Sequence, residues 1–267
     1  MQAAVAGFLI RPNLSRRTFT ITRQQMHRLK YRIVSDLSPP PAAAPSSFVA
    51  VVALAWASFV RAKHPAGIFS ADDEVYLFFF ADCRARLDPP PGENYFGTCI
   101  SGCMATAAAR DLLAADGVSR AAAAVAAEVR RAAEEPLAGW DWMDTVTRRA
   151  DMDRLVNVAG STRFPAYEAT DFGWGSPART ELVTMNHDGQ VVLVAGKGGV
   201  LQASVSLQSP GAHGRVQLVL PQLLGLINRY GCVCADQIVQ TVLFMHIITN
   251  CKVQLNVSVR KCCLNKP

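Results

Sequence analysis

The chain has 267 residues, of which half are hydrophobic, and a formal net charge of +6. This length allows one large domain or two small ones, and the hydrophobic content excludes an intrinsically disordered chain. The charge is uneven, because residues 209–267 hold six basic residues, one acid and five of the eight cysteines. The body before them is nearly neutral, which argues against nucleic acid as a partner of the body.

The cysteine content and the first residues indicate the compartment. Eight cysteines in a chain of this length are too few for a disulfide scaffold. The apolar run from Ala3 to Ile10 has no preceding basic region and no clear cleavage site, so it does not match a secretory signal. No apolar stretch is long enough to cross a bilayer. We therefore expect a cytoplasmic protein with free thiols and no membrane partner.

The predicted elements begin with a short strand over residues 17–22 and an amphipathic helix over residues 23–36. A Pro/Ala-rich linker then leads to Ser46 and Ser47, which are good N-caps. The segment that they precede, residues 48–63, is apolar on nearly every face. It is therefore predicted to be a buried helix.

The middle of the chain alternates between strand and helix patterns. Residues 74–83 predict an interior strand and residues 98–107 a second strand, with a Pro/Gly-rich loop between them. An Ala-rich helix follows over residues 119–135, with Ser119 as its predicted cap, and then a short helix over residues 140–150.

Residues 181–207 predict three strands joined by turns at Asp188-Gly189 and Lys197-Gly198-Gly199. In this meander, residues 191–194 are expected to pair antiparallel with a strand beyond the second turn. Helices and strands are thus mixed, which indicates an α/β or α+β fold with a mixed sheet covered by helices.

The segment DFG at Asp171 matches the magnesium-binding motif of protein kinases. The other parts of a kinase do not follow. The segment most similar to a kinase catalytic loop, residues 109–116, has Ala109 in place of the His and Asp116 in place of the Asn. No Gly-rich phosphate loop precedes it. These mismatches exclude a protein kinase.

Two cysteine pairs have a spacing that metal sites also use, Cys99 with Cys103 and Cys232 with Cys234. Zinc sites generally need a second pair at matched spacing, and none is evident, so we predict idle or buried thiols and no metal site. The Gly-rich segment AGKGGV over residues 195–200 lacks the spacing of a phosphate-binding loop and predicts a hairpin turn.

Two further motifs carry a family resemblance: residues 94–99 have the sequence NYFGTC and residues 171–175 the sequence DFGWG. With the segments SSFVAVVALAWASFVRAK and VYLFFFADCRARLDPPPGENYFG, they resemble the C-terminal half of plant BAHD acyl-CoA-dependent acyltransferases. The similar branch acylates anthocyanins and phenolic glucosides, although Thr98 replaces its usual Asn.

The resemblance implies a domain organisation and a fold. Residues 1–16 are expected to be an N-terminal remnant, and residues 17–208 a C-terminal acyltransferase domain with a chloramphenicol-acetyltransferase-like fold. Residues 209–267 do not match the family's ending and are expected to form an atypical, basic, Cys-rich and poorly packed tail.

The resemblance also implies a reaction. The family transfers an acyl group, malonyl or hydroxycinnamoyl in this branch, from acyl-CoA to a hydroxyl of a flavonoid or phenolic glucoside, and it has no permanently bound cofactor. A His in an H-x-x-x-D motif acts as the general base. No His of this chain has Asp four residues later, because the residues there are Tyr31, Ile68, Val191, Gln217 and Asn250.

We therefore expect that the chain has no catalytic base of its own and is inactive alone, with self-association through an exposed domain face. The alternative is a non-catalytic module of the same fold that binds a ligand or a partner.

In the family, the DFGWG loop is mainly structural. By this resemblance Asp171 is expected to be buried and paired with Arg163, Arg179 or backbone N–H groups. Phe172 is expected to anchor the loop in the core. Gly173 and Gly175 are expected to allow close approach or a positive φ.

Trp174 has two interpretations: its indole N–H contacts a developing oxyanion, or the ring merely packs. Tyr95, Phe96, Gly97 and Cys99 form the other structural motif. The resemblance places Ser46 and Ser47 near the coenzyme A channel, where a helix N-terminus suits anions, but simple capping explains both serines equally well.

Overall fold

The structure is a computed structural model that describes residues 14–41, 43–149, 151–182, 187–207, 241–243 and 257–258. Its strands are β1 (Ser15–Ile21), β2 (Glu74–Asp82), β3 (Ile100–Ala108), β4 (Leu155–Gly160), β5 (Thr180–Glu181), β6 (Gln190–Ala195), β7 (Leu201–Leu207), β8 (Thr241–Leu243) and β9 (Val257–Ser258). Its α-helices are α1 (Arg23–Asp36), α2 (Ser47–Lys63), α3 (Ala109–Leu113), α4 (Gly117–Glu134) and α5 (Trp142–Arg149).

The main sheet has six strands in the order β1-β7-β6-β4-β2-β3. Strands β2, β4 and β6 run parallel to one another, whereas β1 with β7, β7 with β6 and β3 with β2 are antiparallel. The expectation of a mixed sheet covered by helices is confirmed. Thr180–Glu181 belongs to a second, three-stranded sheet with β8 and β9.

Helices α1, α2 and α4 pack on one face of the main sheet. As predicted, α2 is the buried helix, and Ala50, Trp56 and Val60 are completely buried. Its apolar circumference is explained by this position, because one side meets the sheet and the other meets α4. Helix α1 is amphipathic and buries only Leu29 and Ile33.

Strand β2 has two apolar faces. Val75, Leu77 and Phe79 join the core under the helices. Phe78 and Phe80 point to the other face, where both rings contact Trp142 of α5 at centroid distances of 5.7 and 4.9 Å. A strand covered on both faces has a continuous apolar sequence rather than an alternating one, which is why residues 74–83 predicted an interior strand.

The hairpin between β6 and β7 is confirmed, with a 3₁₀ turn at Lys197–Gly199 in which Gly198 and Gly199 have positive φ. The other half of the predicted meander is wrong. The segment from Thr180 enters the second sheet, and β6 lies beside β4 instead. The turn at Asp188-Gly189 therefore does not join two strands that pair with each other.

Two more sequence expectations need correction. The helix predicted from Ser119 begins at Gly117, and Ser119 is buried inside it, where its hydroxyl hydrogen-bonds Asp36 at 3.0 Å. Strand β4 was not predicted at all, although it lies between β2 and β6 and makes that part of the sheet parallel. Its sequence LVNVAG is short, and Asn157 interrupts its apolar pattern.

The expected tail over residues 209–267 lies outside the described residues except for β8 and β9. The domain boundaries at residues 16 and 208 stay predictions. Along the described chain, the main sheet begins at Ser15 and ends at Leu207.

Candidate functional site

Loops follow the carboxyl ends of the parallel strands β2, β4 and β6, so all three emerge at one edge of the main sheet. They span residues 83–99, 161–179 and 196–200. The first contains NYFGTC and the second DFGWG, which brings the two motifs to the same edge. In open α/β sheets, ligands commonly bind outside the carboxyl ends of the strands. We call this the motif edge.

Arg84 holds the base of the first loop. Its guanidinium donates to the carbonyl of Gly97 at 2.7 Å and to the carboxylate of Asp82 at 3.2 Å. The backbone N–H of Cys83 donates to the carbonyl of Cys99 at 2.9 Å and continues the antiparallel pairing of β2 with β3. The motif is thus fastened at its Gly97 end to the end of strand β2.

The Tyr95 ring folds over Gly97. A Cβ at Gly97 would come within 2.4 Å of that ring, so this position requires glycine unless the ring moves. Phe96 is 94% exposed. The NYFGTC loop therefore presents an aromatic side chain outward rather than packing it in the core.

A buried hydrogen-bond network ties the second loop at Tyr167 to the start of β5 and to β7. The hydroxyl of Tyr167 donates to the side-chain carbonyl of Gln202 and accepts from the backbone N–H of Thr180 at 3.0 Å. The Gln202 amide closes the network by donating to the carbonyl of Thr180 at 2.9 Å. The ammonium of Lys197 lies 5.9 Å from the Tyr167 ring centre.

The tip of this loop is shaped by one carboxylate. Asp171 Oδ1 accepts from the N–H groups of Gly173 and Gly175 at 2.8 and 3.0 Å, and both glycines have φ of 88°. The expected positive φ and the backbone partners of Asp171 are confirmed. The expected burial is wrong, because Asp171 is exposed, and Arg179 pairs with Glu181 instead.

The aromatic residues of the tip face outward. Phe172 is 51% exposed, so the expectation that it anchors the loop in the core is wrong. The physical reason is position: the tip projects beyond the sheet edge, away from the helix-covered core. Trp174 is 75% exposed. Its oxyanion contact and its packing role both stay predictions.

Ser46 is the N-cap of α2, and its hydroxyl accepts from the N–H of Val49 at 3.2 Å. Phe48 in the first turn packs edge-on against Phe79, near the carboxyl end of β2, at 5.2 Å. The helix N-terminus with Ser46 and Ser47 therefore lies toward the motif edge. Capping is confirmed for Ser46, and contact with coenzyme A stays a prediction.

No described histidine has the surroundings of a base at this edge. His64 ends α2 and His187 precedes β6, which places both toward the opposite edge of the sheet. His27 is exposed on α1. His213 and His246 lie outside the described residues.

The apolar cavity beneath α2 does not suit a substrate. It lies between Phe59, Val156 and Val205 and has a volume of about 10 Å³, which is the space of one water molecule. The cavity is therefore too small to hold an organic substrate.

The described cysteines differ in burial. Cys83 and Cys103 are buried, and burial raises the pKa of both thiols, that of Cys103 to about 11. Both are therefore mostly protonated at neutral pH, which makes them slow nucleophiles and poor metal ligands. Among the described residues no group of three metal-binding side chains comes together.

The pKa of Cys103 predicts a pH-dependent stability. The folded state holds this proton more tightly than the unfolded chain, whose thiol pKa is about 8.5. The contribution is complete below the unfolded pKa and is lost as the pH rises through about 11. We expect Cys103→Ala to lose less thermal stability between these pH values than the parent chain does, as measured by calorimetry.

The Tyr167 network predicts a clear cost on mutation. Tyr167→Phe leaves the backbone N–H of Thr180 and the side-chain amide oxygen of Gln202 without the Tyr167 hydroxyl in a buried place, which costs about 1–3 kcal/mol of unfolding free energy. Asp171→Ala is the contrasting variant, and we expect it to cost less because water can replace the exposed carboxylate. Urea unfolding measures both, and equal costs would contradict the assignment.

Sequence reasoning missed Arg84, Tyr167 and Gln202. Gln202 had a detectable signal, since it is a long polar side chain in the otherwise small or apolar strand LQASVSL. Arg84 and Tyr167 had none, because the contacts that hold the loops reach Gly97, Thr180 and Gln202, which are distant in sequence.

The fold and the motif edge define the class of this protein. The fold is similar to that of vinorine synthase, with a TM-score of 0.63 and 15% identity over 82% of this chain and 49% of that one. It is also similar to F. sporotrichioides TRI101 complexed with coenzyme A and T-2, with a TM-score of 0.60 and 16% identity over 79% and 50%. The expected chloramphenicol-acetyltransferase-like fold is confirmed.

Residues 12–211 match the Transferase family, and the chain belongs to this BAHD acyltransferase family. It is 33% identical to malonyl-coenzyme:anthocyanin 5-O-glucoside-6'''-O-malonyltransferase of Salvia splendens, over 76% of this chain and 42% of that protein. It is 31% identical to phenolic glucoside malonyltransferase 1 of Nicotiana tabacum, over 66% and 39%. The chain thus spans about two-fifths of the length of these relatives. Along the part of the chain that the structure describes, no helix is long and apolar enough to cross a membrane.

Proposed function

We propose that this chain is the C-terminal, motif-bearing part of an acyltransferase that moves a malonyl or hydroxycinnamoyl group from acyl-CoA to a sugar hydroxyl of a flavonoid or phenolic glucoside in the cytoplasm. The family match and the malonyltransferase relatives support the reaction class. The observation that carries the proposal is the exposure of both aromatic motifs at one sheet edge. Such an arrangement suits a surface that a second domain and the substrates cover.

Several basic side chains at the motif edge suit an anionic acyl-CoA. Arg23 reaches the hairpin at Gly199, Lys197 lies over Tyr167, and Arg163 follows β4. The N-terminus of α2 at Ser46 adds backbone N–H groups on the same side, and helix N-termini favour phosphate groups. These features support acyl-CoA as the co-substrate, held without a permanent cofactor.

Within this proposal Trp174 donates its indole N–H to the oxyanion that forms when the acceptor hydroxyl attacks the thioester. The exposed tip places the ring where it can meet a substrate, and Asp171 fixes the backbone that carries it. A donor of this kind acts in the transition state, so its loss lowers kcat more than it raises KM.

The experiment is to co-express the chain with the part of the Salvia splendens relative that the match does not cover, and to measure malonyl transfer from malonyl-CoA to an anthocyanin 5-O-glucoside. We expect turnover, and a fall in kcat of roughly 10²-fold for Trp174→Phe, which keeps an aromatic side chain but removes the N–H. Trp140→Phe, at an exposed Trp outside the motif, is the matched control.

A complemented protein that binds the glucoside without transferring malonyl would favour the non-catalytic binding module. Full turnover by Trp174→Phe would support the proposed reaction but would show that Trp174 does not donate to the oxyanion and only packs.

A further inference from the structure

Cys83 and Cys99 lie at the base of the NYFGTC loop, and the proposed reaction does not use them. The pairing of β2 with β3 runs to Asp82 and Ile100, so the next antiparallel pair is Cys83 with Cys99. The hydrogen bond from Cys83 N–H to the Cys99 carbonyl, 2.9 Å long, confirms this register. The two cysteines are therefore direct cross-strand neighbours.

Cross-strand neighbours meet the geometric requirement for a disulfide. Opposite residues of a hydrogen-bonded antiparallel pair have Cα atoms about 5.5 Å apart. Disulfides span Cα separations of about 4.4–6.8 Å. The third described cysteine, Cys103, does not fit, because it pairs with Phe79 deeper in the ladder and is completely buried.

We propose that Cys83 and Cys99 form a reversible disulfide that closes the loop over residues 84–98 when the cellular glutathione becomes oxidised. The two thiols are free in the structure, so the reduced form is the one described. The bond joins the two ends of the loop that presents Tyr95 and Phe96, and it restricts that loop covalently.

The reaction proceeds in two exchange steps. The partly exposed Cys99 attacks glutathione disulfide as a thiolate, its sulfur bonds to one glutathione, and the other glutathione leaves as a thiolate. Cys83 then loses its proton and attacks the Cys99 sulfur, which expels the second glutathione. Two cysteine thiols are oxidised, and one glutathione disulfide is reduced to two glutathiones.

Burial decides which thiol reacts first. Cys83 is buried, and burial raises the pKa of its thiol, so Cys99 makes the first attack. The Cys83 thiol donates a hydrogen bond to the carbonyl of Pro136 at 3.1 Å, and this bond must break before Cys83 attacks Cys99. The second step is therefore the slower one, and the mixed disulfide at Cys99 accumulates before the loop closes.

The test is to incubate the purified full chain with glutathione disulfide, alkylate the remaining thiols and map tryptic peptides without reduction. We expect the peptide that ends at Arg84 to be linked to the peptide over residues 87–110, and the link to be lost in Cys83→Ser and in Cys99→Ser. Cys103→Ser is the matched control, because its cysteine lies in the same peptide, and it should keep the link.

A second readout needs no variant. After oxidation, native cleavage at Arg86 inside the loop should leave the two parts joined on a non-reducing gel and separate on a reducing one. The proposal is overturned if Cys83 and Cys99 both remain alkylatable after oxidation of the parent chain, or if the link survives in Cys99→Ser and disappears in Cys103→Ser.

Discussion

The chain assayed alone is expected to transfer no malonyl group from malonyl-CoA to an anthocyanin glucoside above the uncatalysed background. An alcohol needs a base to attack a thioester at a useful rate, and positioned acid–base catalysis contributes roughly 10²–10⁴-fold. No His of this sequence has the Asp partner of the family's base, and His64 and His187 lie toward the opposite edge from the motifs. In the proposed enzyme a facing domain also positions the substrates, so an assay of this chain alone loses that contribution to the rate as well.

The isolated chain is also expected to self-associate. Phe96 and Trp174 are large, exposed rings on one edge, and an uncovered apolar surface favours association. Light scattering should detect this self-association. Co-expression with the part of the Salvia splendens relative that the match does not cover should restore both a complex of one defined size and turnover. Robust turnover by the purified chain alone would overturn this prediction and would direct attention to its five histidines.

Asp188→Ala is expected to destabilise the protein more than Tyr167→Phe does. Asp188 forms an ion pair with Lys63, the last residue of α2, and their side chains are only 3% and 5% exposed. The ammonium also lies 5.0 Å from the centre of the Phe59 ring. Removal of the carboxylate leaves a buried positive charge without this partner, which costs about 3–5 kcal/mol of unfolding free energy.

Two matched variants test whether burial causes this cost. Asp72→Ala breaks an ion pair with Arg110 in which both side chains are largely exposed, so urea unfolding should show little change. The double variant Lys63→Met with Asp188→Leu removes both charges and should be more stable than Asp188→Ala alone. An Asp188→Ala variant as stable as Asp72→Ala would contradict the importance of the buried pair.

Local sequence patterns suffice to predict an element when neighbouring residues define it. Helix α2 was predictable because its apolar circumference and its Ser46 cap are both local in sequence. The β6–β7 hairpin was predictable for the same reason, since the turn residues lie between its strands. The same local reasoning failed at Asp188-Gly189, where the residues of a hairpin turn instead place Asp188 in contact with Lys63.

The sequence by itself determined the family, through NYFGTC and DFGWG, and most of the helices and strands, because motifs and hydrophobic periodicity are properties of neighbouring residues. Only the tertiary structure decided that β4 lies between β2 and β6, since strand order depends on pairing between distant segments. It also decided the burial of the motif residues. The family resemblance led us to expect Asp171 and Phe172 to be buried, yet they lie on a loop that projects past the sheet edge. The exposure of a residue depends on which distant segments pack against it, and its neighbours in sequence do not determine that.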